Sequence, residues 1–187
     1  MSKVNKSPYV ECPVYETKQY VIRLVEREDS EDLLECYSDL ESVKLFNSDN
    51  CGSDFFYRTV EEIAECIDCW INEYTHQGFV RFSIINKSMN KAIGTIEMFA
   101  KEETFSEAGK VGVLRLDLAS GFENKESIAE ILTVLDQHLF DDFEVNSIVT
   151  KAIPEAQERI SVLENNGYSQ LSENRIISYP YYFIKTR

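Results

Sequence analysis

The sequence predicts one mixed α/β domain, a mostly antiparallel sheet of about seven strands flanked by about four helices, from the periodicity of its apolar residues. Three stretches carry this prediction. In Val111–Leu118, Gly112, Leu114, Leu116 and Leu118 share one side and Val113, Arg115 and Asp117 the other, the period-2 pattern of a half-buried central strand. After Asn124, residues Ile128, Ile131, Leu132, Leu135 and Leu139 follow helical spacing and form one apolar stripe that can lie on the sheet. Thr59 with Glu62 forms a capping box ahead of Val60, Ile63, Ile67, Trp70, Ile71 and Tyr74, the clearest helix in the chain.

Taken in order, residues 1–19, with Pro8 and Pro13, read as an irregular lead-in to a domain spanning 20–187. Tyr20–Val25 is the first strand, and Asp29 with Asp32 starts a short helix carrying Leu33, Leu34, Tyr37 and Leu40. Lys44–Arg58 mixes turn formers (Asn47, Ser48, Asp49, Asn50, Gly52) with Phe46, Phe55, Phe56 and Tyr57, a loop whose rings either wall a pocket or anchor it to the core. The helix begun at Thr59 is expected to end at Gly78. Phe79–Asn86 and Ala92–Phe99 make a hairpin through KSMNK, and the charged segment Ala100–Lys110 turns back into the strand at Val111. Between that strand and the next helix, Ser120 and Gly121 break the strand and Asn124 can cap the helix. The loop therefore gathers free backbone N–H groups at one point, which attracts phosphate. Asn146–Ile153 is a further strand, Pro154 suits the first turn of a helix that Gly167 ends, and Ile176–Ser178 and Tyr181–Lys185 finish as strands around Pro180.

The composition excludes several classes. A net charge of −14 repels nucleic acid and anionic membrane surfaces and favours cationic partners. No window approaches a membrane span, the N-terminus has no apolar signal core, and the five cysteines are an odd number, so a soluble, reduced, cytoplasmic protein is expected. Cys66 and Cys69 sit on adjoining turns of one helix with no second pair or nearby histidine, so no metal is expected. His76 and His138 have no triad partner in sequence, which leaves nucleophilic hydrolysis unsupported.

The order β, α, α, β, β, β, α, β, α, β, β, with ETKQYVIRLVEREDSEDLL at the first strand and helix, KAIGTIEMF at the third strand, LDQHLF ending the third long helix and VLENNGY ending the fourth, resembles the GNAT superfamily of acyl-CoA N-acyltransferases, in particular its RimJ/RimL-like group. The resemblance runs from about Glu16 to the C-terminus. It implies acetyl-CoA as co-substrate, no metal, and a donor bound along the strand at Val111–Leu118 by Leu116 and Leu118 and at the helix start by Asn124, Lys125, Glu126 and Ser127. It also implies that the strands at 111–118 and 146–153 splay apart, with the largest pocket between them. The sequence departs from the family pattern at three places. Asn124, Lys125 and Glu126 stand where glycines normally let the backbone close on the pyrophosphate, Ala156 and Arg159 replace an Asn and a Ser of the fourth helix, and Leu163 replaces a Tyr that protonates the leaving thiolate.

An amine must lose a proton before it attacks a thioester, because a lysine-like amine has a pKa of about 10.4. Glu97 and Asp117 are the candidate catalytic bases, and both are expected to be replaceable by their amides without loss of the fold. The backbone N–H of Leu118 is the expected oxyanion donor. Two functions follow. One is an N-acetyltransferase acting on an amine-bearing small molecule or a protein N-terminus, with a homodimer left open; the other is a non-catalytic GNAT-like binding domain with a degenerate acetyl-CoA site.

Overall fold

The computed structural model describes residues 7–101, 109–172 and 176–187. Over these residues the strands are β1 (Tyr15–Glu16), β2 (Tyr20–Leu24), β3 (Val80–Asn86), β4 (Lys91–Lys101), β5 (Val111–Leu118), β6 (Ser147–Lys151), β7 (Ser169–Gln170) and β8 (Tyr182–Thr186). The α-helices are α1 (Ser30–Tyr37), α2 (Leu40–Val43), α3 (Val60–Thr75), α4 (Lys125–Asp142) and α5 (Gln157–Asn165). All the strands join one eight-stranded sheet in the order β1-β2-β3-β4-β5-β6-β8-β7. Neighbours from β1 to β5 are antiparallel, and β5 and β6 are parallel. A parallel pair cannot be closed by a tight turn, and α4 supplies the crossover.

Buried apolar clusters cover both faces of the sheet. The even-numbered residues Leu114, Leu116 and Leu118 of β5 pack with Ile22, Phe82, Ile84, Ile96 and Met98 against Ile128, Ile131, Leu132 and Leu135 of α4 and Val162 and Leu163 of α5. On the opposite side, Tyr37 of α1 and Ile63, Ile67 and Trp70 of α3 enclose Phe46 and Phe55 of the aromatic loop. The expected caps form at both long helices: Thr59 and Glu62 make a reciprocal capping box, and the Asn124 side chain accepts from Ser127 N.

Several expectations are corrected. The lead-in is not wholly irregular, because Tyr15 and Glu16 pair with Ile22 and Val21 at the sheet edge. The first helix is two, because Asp39 caps a new turn by accepting from Glu41 N. α3 is ended by His76 and by Gln77 at a φ of 60°, one residue before Gly78. Pro154 precedes the fourth long helix, which starts at Gln157, while Gly167 does end it with a φ of +84°. Ile176–Ser178 is not a strand, and Ser169–Gln170 pairs with β8 instead. The expected turn over 102–108 lies outside the described residues.

Gly94 sets the spacing of β4 and β5. It faces Leu118, and a β-carbon there would collide with the Asp117 carbonyl oxygen. Backbone on backbone cannot yield as a side-chain tip would, so Gly94→Ala is expected to cost about 1–3 kcal/mol. Chemical denaturation of the two proteins measures the difference, and equal midpoints would show that the strands relax without cost.

Candidate active site

The parallel pairing of β5 and β6 runs from Val111–Ser147 to Leu114–Thr150 and stops, although β5 continues to Leu118. Ala119 N donates to Ile93 O, and alternation along the strand then turns the backbone groups of Leu116 and Leu118 to the side away from β4. They face the gap between the diverging strands. At the far end of that gap a single 3-10 turn, Ser120–Phe122, leads into the start of α4. Lys125 and Glu126 are exposed in its first turn, whereas Ser127 is buried with its hydroxyl accepting from Tyr20 OH. Of the four loop residues named from sequence, Asn124 and Ser127 thus serve the helix and core, and Lys125 and Glu126 have exposed side chains.

The first β5 residue beyond the paired segment, Arg115, lines a cavity of about 420 Å³ on the α1/α3 side of the sheet. Its walls are the rings of Phe55, Tyr57, Trp70, Phe79 and Phe99, so the loop at 44–58 both anchors itself in the core and walls a pocket. Phe55 holds a φ of 58°, an uncommon conformation for a bulky residue, with its N–H donating to Ser53 Oγ at 3.0 Å. The side chain of Arg159 reaches into the gap between β5 and β6. The guanidinium donates to Leu116 O at 2.9 Å and pairs with Glu123 at 2.7 Å.

The cavity floor is a row of cross-strand charges. Arg81, Glu97 and Arg115 are direct neighbours on β3, β4 and β5. Arg81 is 1% exposed and donates to Glu97 Oε2 at 2.6 Å and to Asp117 Oδ2 at 3.2 Å, while Arg115 reaches Glu97 Oε1 at 3.0 Å. Asp117 also accepts from Tyr37 OH at 2.8 Å, and its Oδ1 is buried without a hydrogen-bond partner. Burial pushes the Asp117 carboxyl above its ordinary value, against the pull of Arg81. Burial of Arg81 opposes its charge, and Glu97, Tyr37 and Asp117 outweigh that, so its pKa is raised. Trp70 stacks over the same guanidinium at 4.3 Å.

The structure therefore brings Glu97 and Asp117 together through Arg81. Glu97 lines the cavity, and Asp117 lies beneath it against Tyr37 and Thr95. Sequence reasoning missed Arg81, Arg115 and Glu123, and named Arg159 only as a departure from the family pattern. A signal existed for the first two, since each is a charge on a strand of a sheet covered on both faces, where a charge must be paired. Among the described residues no group of His, Cys, Asp and Glu could hold a metal ion, and no helix is long and apolar enough to cross a membrane.

The family model of the acetyltransferase (GNAT) domain matches residues 19–169. Solved structures with the same fold include the ribosomal-protein-S5-alanine acetyltransferase from Vibrio fischeri, 16% identical with a TM-score of 0.68 over 93% of this chain and 96% of that one. RimJ from Mycobacterium smegmatis, in complex with a CoA disulfide, is 12% identical with a TM-score of 0.70 over 93% and 86%. RimL, the ribosomal L7/L12 alpha-N-protein acetyltransferase solved with coenzyme A, is 12% identical with a TM-score of 0.71 over 93% and 98%. A comparison with curated protein sequences finds no match.

The ionic row gives replacement of its carboxylates a cost in stability. Removing one partner of a buried pair leaves the other charge uncompensated, so Glu97→Gln and Asp117→Asn are each expected to lose about 3–5 kcal/mol. Exposed Lys125→Ala should stay within about 0.5 kcal/mol of the parent. Thermal melts of the three variants check this, and unchanged melting of Glu97→Gln would mean that Arg81 finds other compensation.

Proposed function

Because this chain belongs to the GNAT acetyltransferase family, we propose that it transfers the acetyl group of acetyl-CoA to a primary amine, on a small molecule or a protein N-terminus, in the cytoplasm. The observation that carries the reading is the end of β5–β6 pairing at Leu114–Thr150, immediately before Arg115 opens onto the ring-walled cavity. A donor along the unpaired half of β5 and an acceptor in the cavity then meet at one strand. The residues fit the donor in part. Leu116 and Leu118 turn backbone hydrogen-bonding groups to the gap, and the start of α4 offers partial positive charge to phosphate. Acetyl-CoA supplies the thioester carbonyl that an amine attacks.

The chain's own residues divide the remaining work. Leu118 N–H, facing the gap, is placed to hold a carbonyl oxygen, a task that needs no particular side chain. Glu97 is the carboxylate that an acceptor in the cavity reaches, and it is the proposed proton acceptor. Asp117 acts as a positioning residue through Arg81, which it shares with Glu97. Ribosomal-protein acetyltransferases among the structural relatives are compatible with a protein N-terminus as acceptor. A cavity of about 420 Å³ limits the buried part of the acceptor to one or two residues or a small molecule. The second reading, a GNAT-like domain that no longer takes the donor, is favoured by the Arg159–Glu123 pair lying in the gap.

Two measurements separate these readings. A ligand at a hundred times its dissociation constant stabilises the fold by about 2.7 kcal/mol, so acetyl-CoA should raise the melting temperature by several degrees. No shift at millimolar donor would favour the second reading. Glu126 is exposed at the helix start, and its charge about 5 Å from a phosphate would oppose binding by about 1 kcal/mol at a water-like dielectric. Glu126→Gly is therefore expected to bind coenzyme A several-fold more tightly by calorimetry, and equal or weaker binding would show that the carboxylate points away from the donor.

A further inference from the structure

Two residues that are 36 apart in sequence meet beside the unpaired half of β5. Arg159 donates through Nε to Glu123 Oε1 at 2.8 Å and through Nη2 to Glu123 Oε2 at 2.7 Å, the parallel two-bond geometry that makes arginine–carboxylate pairs strong. Its Nη1 donates to Leu116 O at 2.9 Å and approaches Leu45 O at 3.4 Å. One guanidinium thereby ties α5, the turn ahead of α4, the unpaired half of β5 and the segment just after α2. The pair is nearly sealed from solvent, with side-chain exposures of 3% for Arg159 and 9% for Glu123.

The reason for this arrangement lies in the strand. Beyond Leu114, β5 has lost its neighbour, so the Leu116 carbonyl points into a buried gap, and a buried acceptor without a partner is costly. Arg159 satisfies it, and Glu123 satisfies the charge that Arg159 brings. A ligand lying along β5 needs the same carbonyl and the same space.

We propose that Arg159 and Glu123 form a latch across the donor slot and are the residues that set this chain's affinity for acyl-CoA. The inference rests on the acetyl-CoA reading of the preceding subsection. Donor binding requires the guanidinium to leave Leu116 O and swing out of the gap. Apparent affinity is then the intrinsic affinity scaled by the fraction of molecules whose latch is open. The latch discriminates against short thioesters, because only a donor with additional contacts along β5 and at the start of α4 repays the opening.

Calorimetric titration of coenzyme A into the parent, Glu123→Gln and the double variant Arg159→Asn/Glu123→Gln tests the latch. Glu123→Gln weakens the closed state while keeping the bond to Leu116, and is expected to bind several-fold more tightly. The double variant removes the cation and shortens the side chain, and a gain of at least tenfold is expected. Ligand-free melts establish that each variant is folded; if only one of the two is, that one decides. Binding by the parent with equal or weaker binding by the folded variants would overturn the latch and leave the donor reading standing. No binding by any of the three up to millimolar coenzyme A would overturn both.

Discussion

The structure depends on the compensation of one buried cation. Arg81 stands near the start of β3 with 1% of its surface exposed, in a sheet covered by helices on both faces. Withdrawing a guanidinium from water costs several kcal/mol even after relaxation, and only good geometry with additional hydrogen bonds offsets it. Here Glu97 supplies the charge, Asp117 and Thr95 accept from the second terminal nitrogen, and Trp70 covers the face of the group. These partners come from β4, β5 and α3, so one side chain specifies the register of three strands and the seating of a helix. A slip of one residue between β3 and β4 would turn Glu97 to the opposite face and leave Arg81 unpaired.

A second guanidinium has the same relation to the other half of the site. Arg159 compensates a defect of the backbone, the strand carbonyl left over where β5 and β6 diverge. The chain carries 33 acidic against 19 basic side chains, yet its site is organised by Arg81, Arg115 and Arg159, each paired with a carboxylate. The acidic balance therefore belongs to the outer surface, where it repels polyanions. Within the site, charges of both signs are matched, which leaves the ring walls to dominate what the cavity selects.

Most of the fold was legible because its signals are local. The alternation in VGVLRLDL, the stripe from Ile128 to Leu139, the Thr59–Glu62 box and the αL glycine at 167 each act within a few residues. β1 was not legible because two residues carry no period, and Tyr15 becomes a strand only through pairing with Ile22. The split of the first helix rests on Asp39 capping Glu41, a local signal that the neighbouring apolar residues obscured. The site was legible by position and not by partner. Glu97 and Asp117 were named as sheet carboxylates, and Leu116 and Leu118 through the resemblance to GNAT proteins, which implies a donor along that strand. Their hydrogen-bond partners could not be seen: Tyr37 is 80 residues from Asp117, and Arg159 is 43 from Leu116.

Arg159 on the fourth long helix is also bonded to the turn before α4, through Glu123. Taken one at a time, an arginine in place of a small polar residue and a glutamate in place of glycine each read as the loss of a donor contact. In three dimensions Arg159 meets a different acid, Glu123, and that pair meets the strand. A charge introduced alone into a closed gap would be expelled or would destabilise the chain, so the arginine and the glutamate are tolerable only together. Glu126, exposed one turn away, has no such partner role in the gap and acts on a phosphate only through its field. The two acids near the start of α4 thus differ: Glu123 is coupled to Arg159 at the strand, and Glu126 is a single surface charge that adjusts the approach of an anion. Removing both kinds together should be close to additive where either half of the pair alone is not.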